Sequence, residues 1–100
     1  MALILSRAAQ KDLADIALYT ITTWGMDQAD AYIGGMIAAM NLLSKDMPAS
    51  RRDADLPDGI TRTRHRSHHL YHRRIGDDLI IIRILHGRMD PARHLAGHLD

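Results

Sequence analysis

The sequence has no cysteine and no phenylalanine, and its single tryptophan is Trp24. Without cysteine there is no disulfide framework, no thiolate nucleophile and no cysteine-ligated metal, which fits a reducing compartment. Without phenylalanine the core must be built from Leu, Ile, Met and Ala. The 100 residues leave room for one domain, residues 1–100, with one core. That is near the lower end of the sizes that fold unaided. No apolar run reaches the roughly 18 residues of a membrane span. The longest, Ala29 to Leu43, is broken by Asp30, Gly34 and Gly35. Met1 to Leu5 is apolar, but it is too short for a signal-peptide core and has no basic leader. Internal repeats and low-complexity segments are also missing. A cytoplasmic protein with no membrane partner is the expectation.

What is present is unevenly placed. Residues 1–50 carry Arg7, Lys11 and Lys45 against five aspartates, a net charge of −2. Residues 51–100 carry ten arginines against seven aspartates, a net charge of +3, and all seven histidines. The second half gains further charge as pH falls toward about 6.5, the ordinary histidine value. An Arg- and His-rich surface suits an anionic partner, either nucleic acid or an acidic protein segment. The alternative is a solvated surface balanced by loop aspartates.

Hydrophobic spacing gives the element order. Ala2 to Leu5 reads as a short strand, and Ser6 as a helix N-cap. Ala9, Leu13, Ile16, Ala17, Thr20 and Trp24 then recur at helical spacing, with Gly25 as terminator. In this reading Trp24 is a core anchor. Asp27 caps a second helix with the stripe Ala29, Tyr32, Ile33, Met36, Ile37, Met40 and Leu43. The short link predicts an antiparallel helical hairpin, and Gly34, Gly35, Ala38 and Ala39 would let its two helices approach closely.

Pro48 ends the second helix, and Ala49 to Gly59 is a loop with a Pro57-Asp58-Gly59 turn. The period then changes to two. Strands are expected over Ile60–Arg66, His68–Ile75 and Leu79–Leu85, with a Gly76-Asp77-Asp78 hairpin turn. In the last strand Ile80, Ile82 and Ile84 should share one face, and Leu79, Ile81, Arg83 and Leu85 the other. Asp90 to Leu99 begins a short helix with Pro91 in its first turn. The fold class is α+β, in the order β-α-α-β-β-β: a short N-terminal strand and a helical hairpin packed on a C-terminal antiparallel sheet.

With these residues in that order, the chain resembles the ParE branch of the RelE/ParE toxins. The run Ile82-Arg83-Ile84-Leu85-His86-Gly87-Arg88-Met89-Asp90, followed by Arg93-His94-Leu95, is similar to that branch's closing signature. The opening fits as well, through Leu5-Ser6, Ala9, Asp12-Leu13, Ile16, Tyr19, Trp24-Gly25, Ala29 and Tyr32. Leu56-Pro57-Asp58-Gly59-Ile60 with Arg62 resembles the entry to the second strand. The chain departs from the pattern at Pro48-Ala49-Ser50, which leads into Arg51-Arg52 where many relatives have Gly-Arg. It departs again at His72, a position often aromatic.

The resemblance implies the toxin of a type II toxin–antitoxin pair. Such a toxin inhibits DNA gyrase and is neutralised by a ParD-like antitoxin; operator DNA is reached only through the antitoxin. The RelE branch instead cleaves mRNA on the ribosome, which is the alternative. A degenerate toxin that only binds antitoxin for operon control is a third reading. The candidates for target contact are Arg83, His86, Arg88, Asp90 and Arg93, at the rigid end of the last strand and just beyond. Arg62, Arg64, Tyr71 and Arg73 are the candidates for antitoxin contact.

RNA cleavage needs a base, an acid and cations at one phosphate. His68, His69, His72, Arg62, Arg64 and Arg83 supply the residue types. His68 and His72 stand about 13 Å apart on an extended strand, so partners must come from neighbouring strands. Arg83 interrupts an apolar strand and must be paired or face an open surface; an aspartate of the preceding loop is one available partner. His94 and His98 have i, i+4 spacing but no companion ligand. No catalytic residue, cofactor or metal is assigned.

Overall fold

The computed structural model describes residues 2–45 and 59–87, together with Met89 and Leu95. Its elements are β1 (Leu3–Leu5), α1 (Arg7–Trp24), α2 (Met26–Lys45), β2 (Thr61–His65), β3 (His68–Ile75) and β4 (Asp78–His86). This is the β-α-α-β-β-β arrangement expected from the sequence. The strand order in the sheet is β1-β4-β3-β2. β2, β3 and β4 are antiparallel neighbours, whereas β1 lies parallel to β4. The sheet is therefore mixed, because a strand separated from its partner by the whole hairpin and two further strands can pair in parallel.

Ser6 joins the helices to the sheet. Its Oγ accepts the Ala9 N–H at 3.0 Å, which caps α1, and donates to the Ile82 carbonyl at 2.6 Å. Its own N–H donates to the Ile81 carbonyl at 2.9 Å. Gly25 turns the chain between the helices at φ 94°, a conformation that favours glycine. A link of one residue leaves no room for a separate cap, so Asp27 sits inside the first turn of α2. There its charge still complements the helix dipole.

The core has two layers. Ala9, Met36, Met40 and Leu43 of the helices pack on Leu70, Leu79, Ile81 and Ile84. Ile60, Tyr71, Ile82, Leu85 and Leu95 form a second cluster on the opposite face. Leu95 is a fully buried helical residue that belongs to this second cluster. The rest of the tail, and the loop that includes Pro48, Arg51 and Arg52, lie outside the described residues.

Two expectations about the interior are corrected. Strict alternation in β4 fails at Ile82. Tyr71 pairs with Arg83 and His72 with Ile81, which leaves Ile82 as an extra residue in a bulge. Ile84 consequently joins Leu79 and Ile81 under the helices, and Leu85 joins Ile82 on the far side. Trp24 is not a core anchor, being 66% exposed. It occupies the last position of α1, where the chain reverses within one residue and the ring stays outside both clusters. The small residues of α2 serve a different contact as well. Gly35 faces the His65 ring of β2, which a Cβ at this position would meet at an ordinary contact distance of 3.6 Å, and not α1.

Candidate functional site

β4 carries two of the predicted target contacts into the described region. Arg83 is already engaged: its Nε and Nη2 donate to the two carboxylate oxygens of Asp12 at 2.7 and 2.8 Å. Asp12 Oδ2 also accepts the Ile84 N–H at 2.9 Å. The partner therefore comes from α1, not from the loop before the strand. The Asp12 hydrogen bond holds the guanidinium still more firmly protonated. His86 is exposed at the end of β4. Arg88, Asp90 and Arg93 lie outside the described residues.

The predicted antitoxin contacts divide. Arg62 pairs with Tyr71, Arg64 with His69 and Arg73 with Ile80. Directly opposed residues share a sheet face, so these arginines stand on the side of the Tyr71 cluster, away from the helices. Arg64 is exposed, while Arg62 and Arg73 are half-buried. Tyr71 is 1% exposed and packs with Ile60, Ile82, Leu85 and Leu95. It is a core residue and offers no surface to a partner.

The histidines separate by environment. His72 is buried, with Nδ1 and Nε2 each 2.9 Å from a threonine hydroxyl, Thr61 and Thr63 respectively. Burial, with help from the Arg74 charge, pushes its pKa down to about 4. His68, His65, His69 and His86 gather instead at the opposite end of the sheet. His68 Nδ1 lies 2.6 Å from the Tyr32 hydroxyl. Its ring is 5.5 Å from that of His86, centroid to centroid. Burial lowers the His68 pKa, and the neighbouring His86, His65 and His69 lower it further. His65 packs edge-on against Tyr32, and its buried Nε2 has no hydrogen-bond partner among the described residues. The partners that spacing along β3 could not supply to His68 thus come from α2 and β4.

Several cavities open at this end among the described residues, two of them lined by Asp15 as well as by His68 and His86. Of the others, one of about 460 Å³ is lined by Tyr19, Thr20, Trp24, Gln28, Tyr32, Ser67, His68 and His86, and one of about 430 Å³ by Arg64, Ser67, His69, His86 and Gly87. These last two share Ser67 and His86. The Gly87 N–H donates to the Ser67 carbonyl at 2.9 Å and ties the end of β4 to the β2–β3 turn. Tyr19, Trp24, Gln28, Tyr32 and His65 were not singled out as site residues by the sequence. The available signal was an aromatic pair, Tyr19 and Trp24, at the hairpin end. No group of three metal-ligating side chains occurs among the described residues.

The hairpin also shows apolar surface outside the cavities. Leu18, Ile21, Met26 and Leu42 are exposed, Leu18 and Met26 at 62% each. Leu18 and Ile21 lie one turn apart on α1, while Met26 and Leu42 stand near the two ends of α2.

Residues 3–91 match the family model described as "ParE toxin of type II toxin-antitoxin system, parDE". Toxin ParE1 of Caulobacter vibrioides is 34% identical over 91% of this chain and 94% of its own. Toxin ParE1 of Mycobacterium tuberculosis is 33% identical over 92% of this chain and 95% of its own. Among solved structures, a chain from the "Chromosomal ParDE TA system from P. aeruginosa" superposes with a TM-score of 0.73 at 22% identity. That match covers 86% of this chain and 95% of the other.

Proposed function

The chain belongs to the ParE toxin family of type II toxin–antitoxin systems, and from that premise we propose that it inhibits DNA gyrase in the cytoplasm and is neutralised by a ParD-like antitoxin. The observation that carries this reading is the uncovered apolar surface of the hairpin, Leu18, Ile21, Met26 and Leu42. An amphipathic antitoxin helix laid on it would hide that surface by the usual helix-in-groove mode. Acidic residues elsewhere on the antitoxin would meet Arg62, Arg64 and Arg73. Operator DNA would be bound by the antitoxin, with the toxin as passenger.

Inhibition by binding also accords with how the candidate catalytic groups are used. Both ring nitrogens of His72 are held by threonines, and Arg83 is committed to Asp12. Target contact then falls to His86 and, beyond the described residues, to Arg88, Asp90 and Arg93. Induced expression is the test. Gyrase inhibition gives an SOS response, filamentous cells and loss of supercoiling by purified gyrase, all reversed by the antitoxin. Immediate arrest of translation without an SOS response would overturn the gyrase assignment in favour of mRNA cleavage. Unimpaired growth would leave only a role in operon control.

A further inference from the structure

The two adjoining cavities differ in chemistry, and the difference has a direction. The first is walled by aromatic rings, Tyr19, Trp24 and Tyr32, with the amide of Gln28 among them. Tyr19 and Trp24 are 65% and 66% exposed, so both have ring surface available to a ligand. A flat heteroaromatic ring fits such a cleft: it stacks on an indole or phenol face, and an amide offers both a donor and an acceptor to its edge. The second cavity is basic, lined by Arg64, His69 and His86. Arg64 Nε donates to the Arg66 carbonyl at 2.8 Å, which uses one of the five N–H donors of the guanidinium and steadies the group at the cavity. His86 and Ser67 line both cavities and stand at the junction.

Asp12 and Asp15, which line smaller cavities that also reach His86, are paired with Arg83 and Lys11 respectively. Among the described residues, no carboxylate lines the basic cavity itself.

From this juxtaposition we infer that the open end of the sheet is a binding site for a nucleoside phosphate, with the base in the Tyr19–Trp24 cleft and the phosphate in the Arg64–His69–His86 cavity. The inference does not depend on gyrase being the target or on the antitoxin. The same chemistry is present in a free nucleotide and in one unit of a single strand.

Trp24 is the only tryptophan, so stacking in the cleft reports directly as quenching of intrinsic fluorescence, excited at the red edge of the indole band. The full-length chain is titrated with AMP, adenosine, inorganic phosphate and a short single-stranded oligoadenylate. AMP should quench saturably and bind about tenfold or more tightly than adenosine, the gain expected of charge-assisted phosphate contacts. Arg64→Ala, at an exposed position outside the cleft, should remove most of that gain and leave adenosine binding unchanged, whereas His86→Gln, at the junction of the two cavities, should weaken both. Circular dichroism checks that the variants fold. Tighter binding of the oligonucleotide than of AMP identifies a strand as the source, and equal binding identifies a free nucleotide. The inference is overturned if no nucleotide quenches saturably up to millimolar concentration, or if AMP and adenosine bind equally. It is likewise overturned if an acidic tyrosine-containing peptide quenches more tightly than any nucleotide, since the site would then be a peptide groove. The wild-type titration decides the matter even if a variant fails to fold.

Discussion

Replacing Asp12 with alanine should be among the most damaging single changes available in the described region. Asp12 and Arg83 are 12% and 19% exposed, and three hydrogen bonds converge on one carboxylate, from Arg83 Nε, Arg83 Nη2 and Ile84 N–H. Asp12→Ala leaves a guanidinium and a strand N–H with poor access to water. Removing one member of a buried pair costs about 3–5 kcal/mol, mainly because the survivor is left uncompensated. Arg83 retains some access to solvent, so the expected loss is about 3 kcal/mol. For a chain of this size that lowers the melting temperature by roughly 12–24 °C. The exposed pair Lys11–Asp15, with side chains 78% and 62% exposed, provides the contrast, and Asp15→Ala should leave the melting temperature essentially unchanged. Urea denaturation of Asp12→Ala, Arg83→Ala and the double variant measures the coupling. The double variant should be less destabilised than the sum of the two, because no stranded charge remains. A loss below about 1 kcal/mol for Asp12→Ala, or full additivity in the cycle, would refute the argument.

Burial also separates two aromatic substitutions. Tyr71→Ala should cost about 3–5 kcal/mol, whereas Trp24→Ala should cost under about 1 kcal/mol; chemical denaturation measures both. Stability should fall on acidification. His68 and His72 are kept neutral in the fold, while the unfolded chain takes up protons near 6.5. Below that pH the unfolded state binds more protons, so stability declines until His72 itself protonates near pH 4. His72 alone accounts for about 3 kcal/mol of the decline, and His72→Gln should flatten the pH profile of the melting temperature over that window. The association rate with an acidic antitoxin should fall as salt rises, because charge steering brings it to the arginine face. A rate flat from low to physiological salt, followed by stopped-flow mixing, would remove that face from the encounter.

Much of the fold was legible because it rests on local rules. Ser6 and Gly25 mark the ends of α1 through capping chemistry that needs no distant partner, and the change of period after Gly59 marks the sheet. What could not be read depends on distance. The Asp12–Arg83 pair joins residues 71 positions apart, and nothing in the spacing of β4 names its partner. The bulge at Ile82 breaks the alternation without any glycine or proline to announce it. Trp24 continues the apolar stripe of α1 by spacing alone, but helical period does not show where the packing layer stops. The site was legible only in part. Composition placed the imidazoles in the second half, yet their grouping with Tyr32 depends on α2 crossing the end of β3 and β4, a tertiary fact.

Ile82 acts on the sheet as an inserted letter acts on a reading frame. Every side chain before it keeps its assigned side, and every side chain after it is reassigned. Deleting one residue here would remove little from the chain's hydrophobic content. Arg83 would then follow Ile81 directly, the ladder would close without a bulge, and Ile84 would stay under the helices, Leu85 on the far face and His86 beside His68. The pairing with β3 on either side of the bulge, more than the length of β4, determines which surface receives the imidazole. The bulge is thus the place where this strand can gain or lose a residue without moving the side chains that follow it.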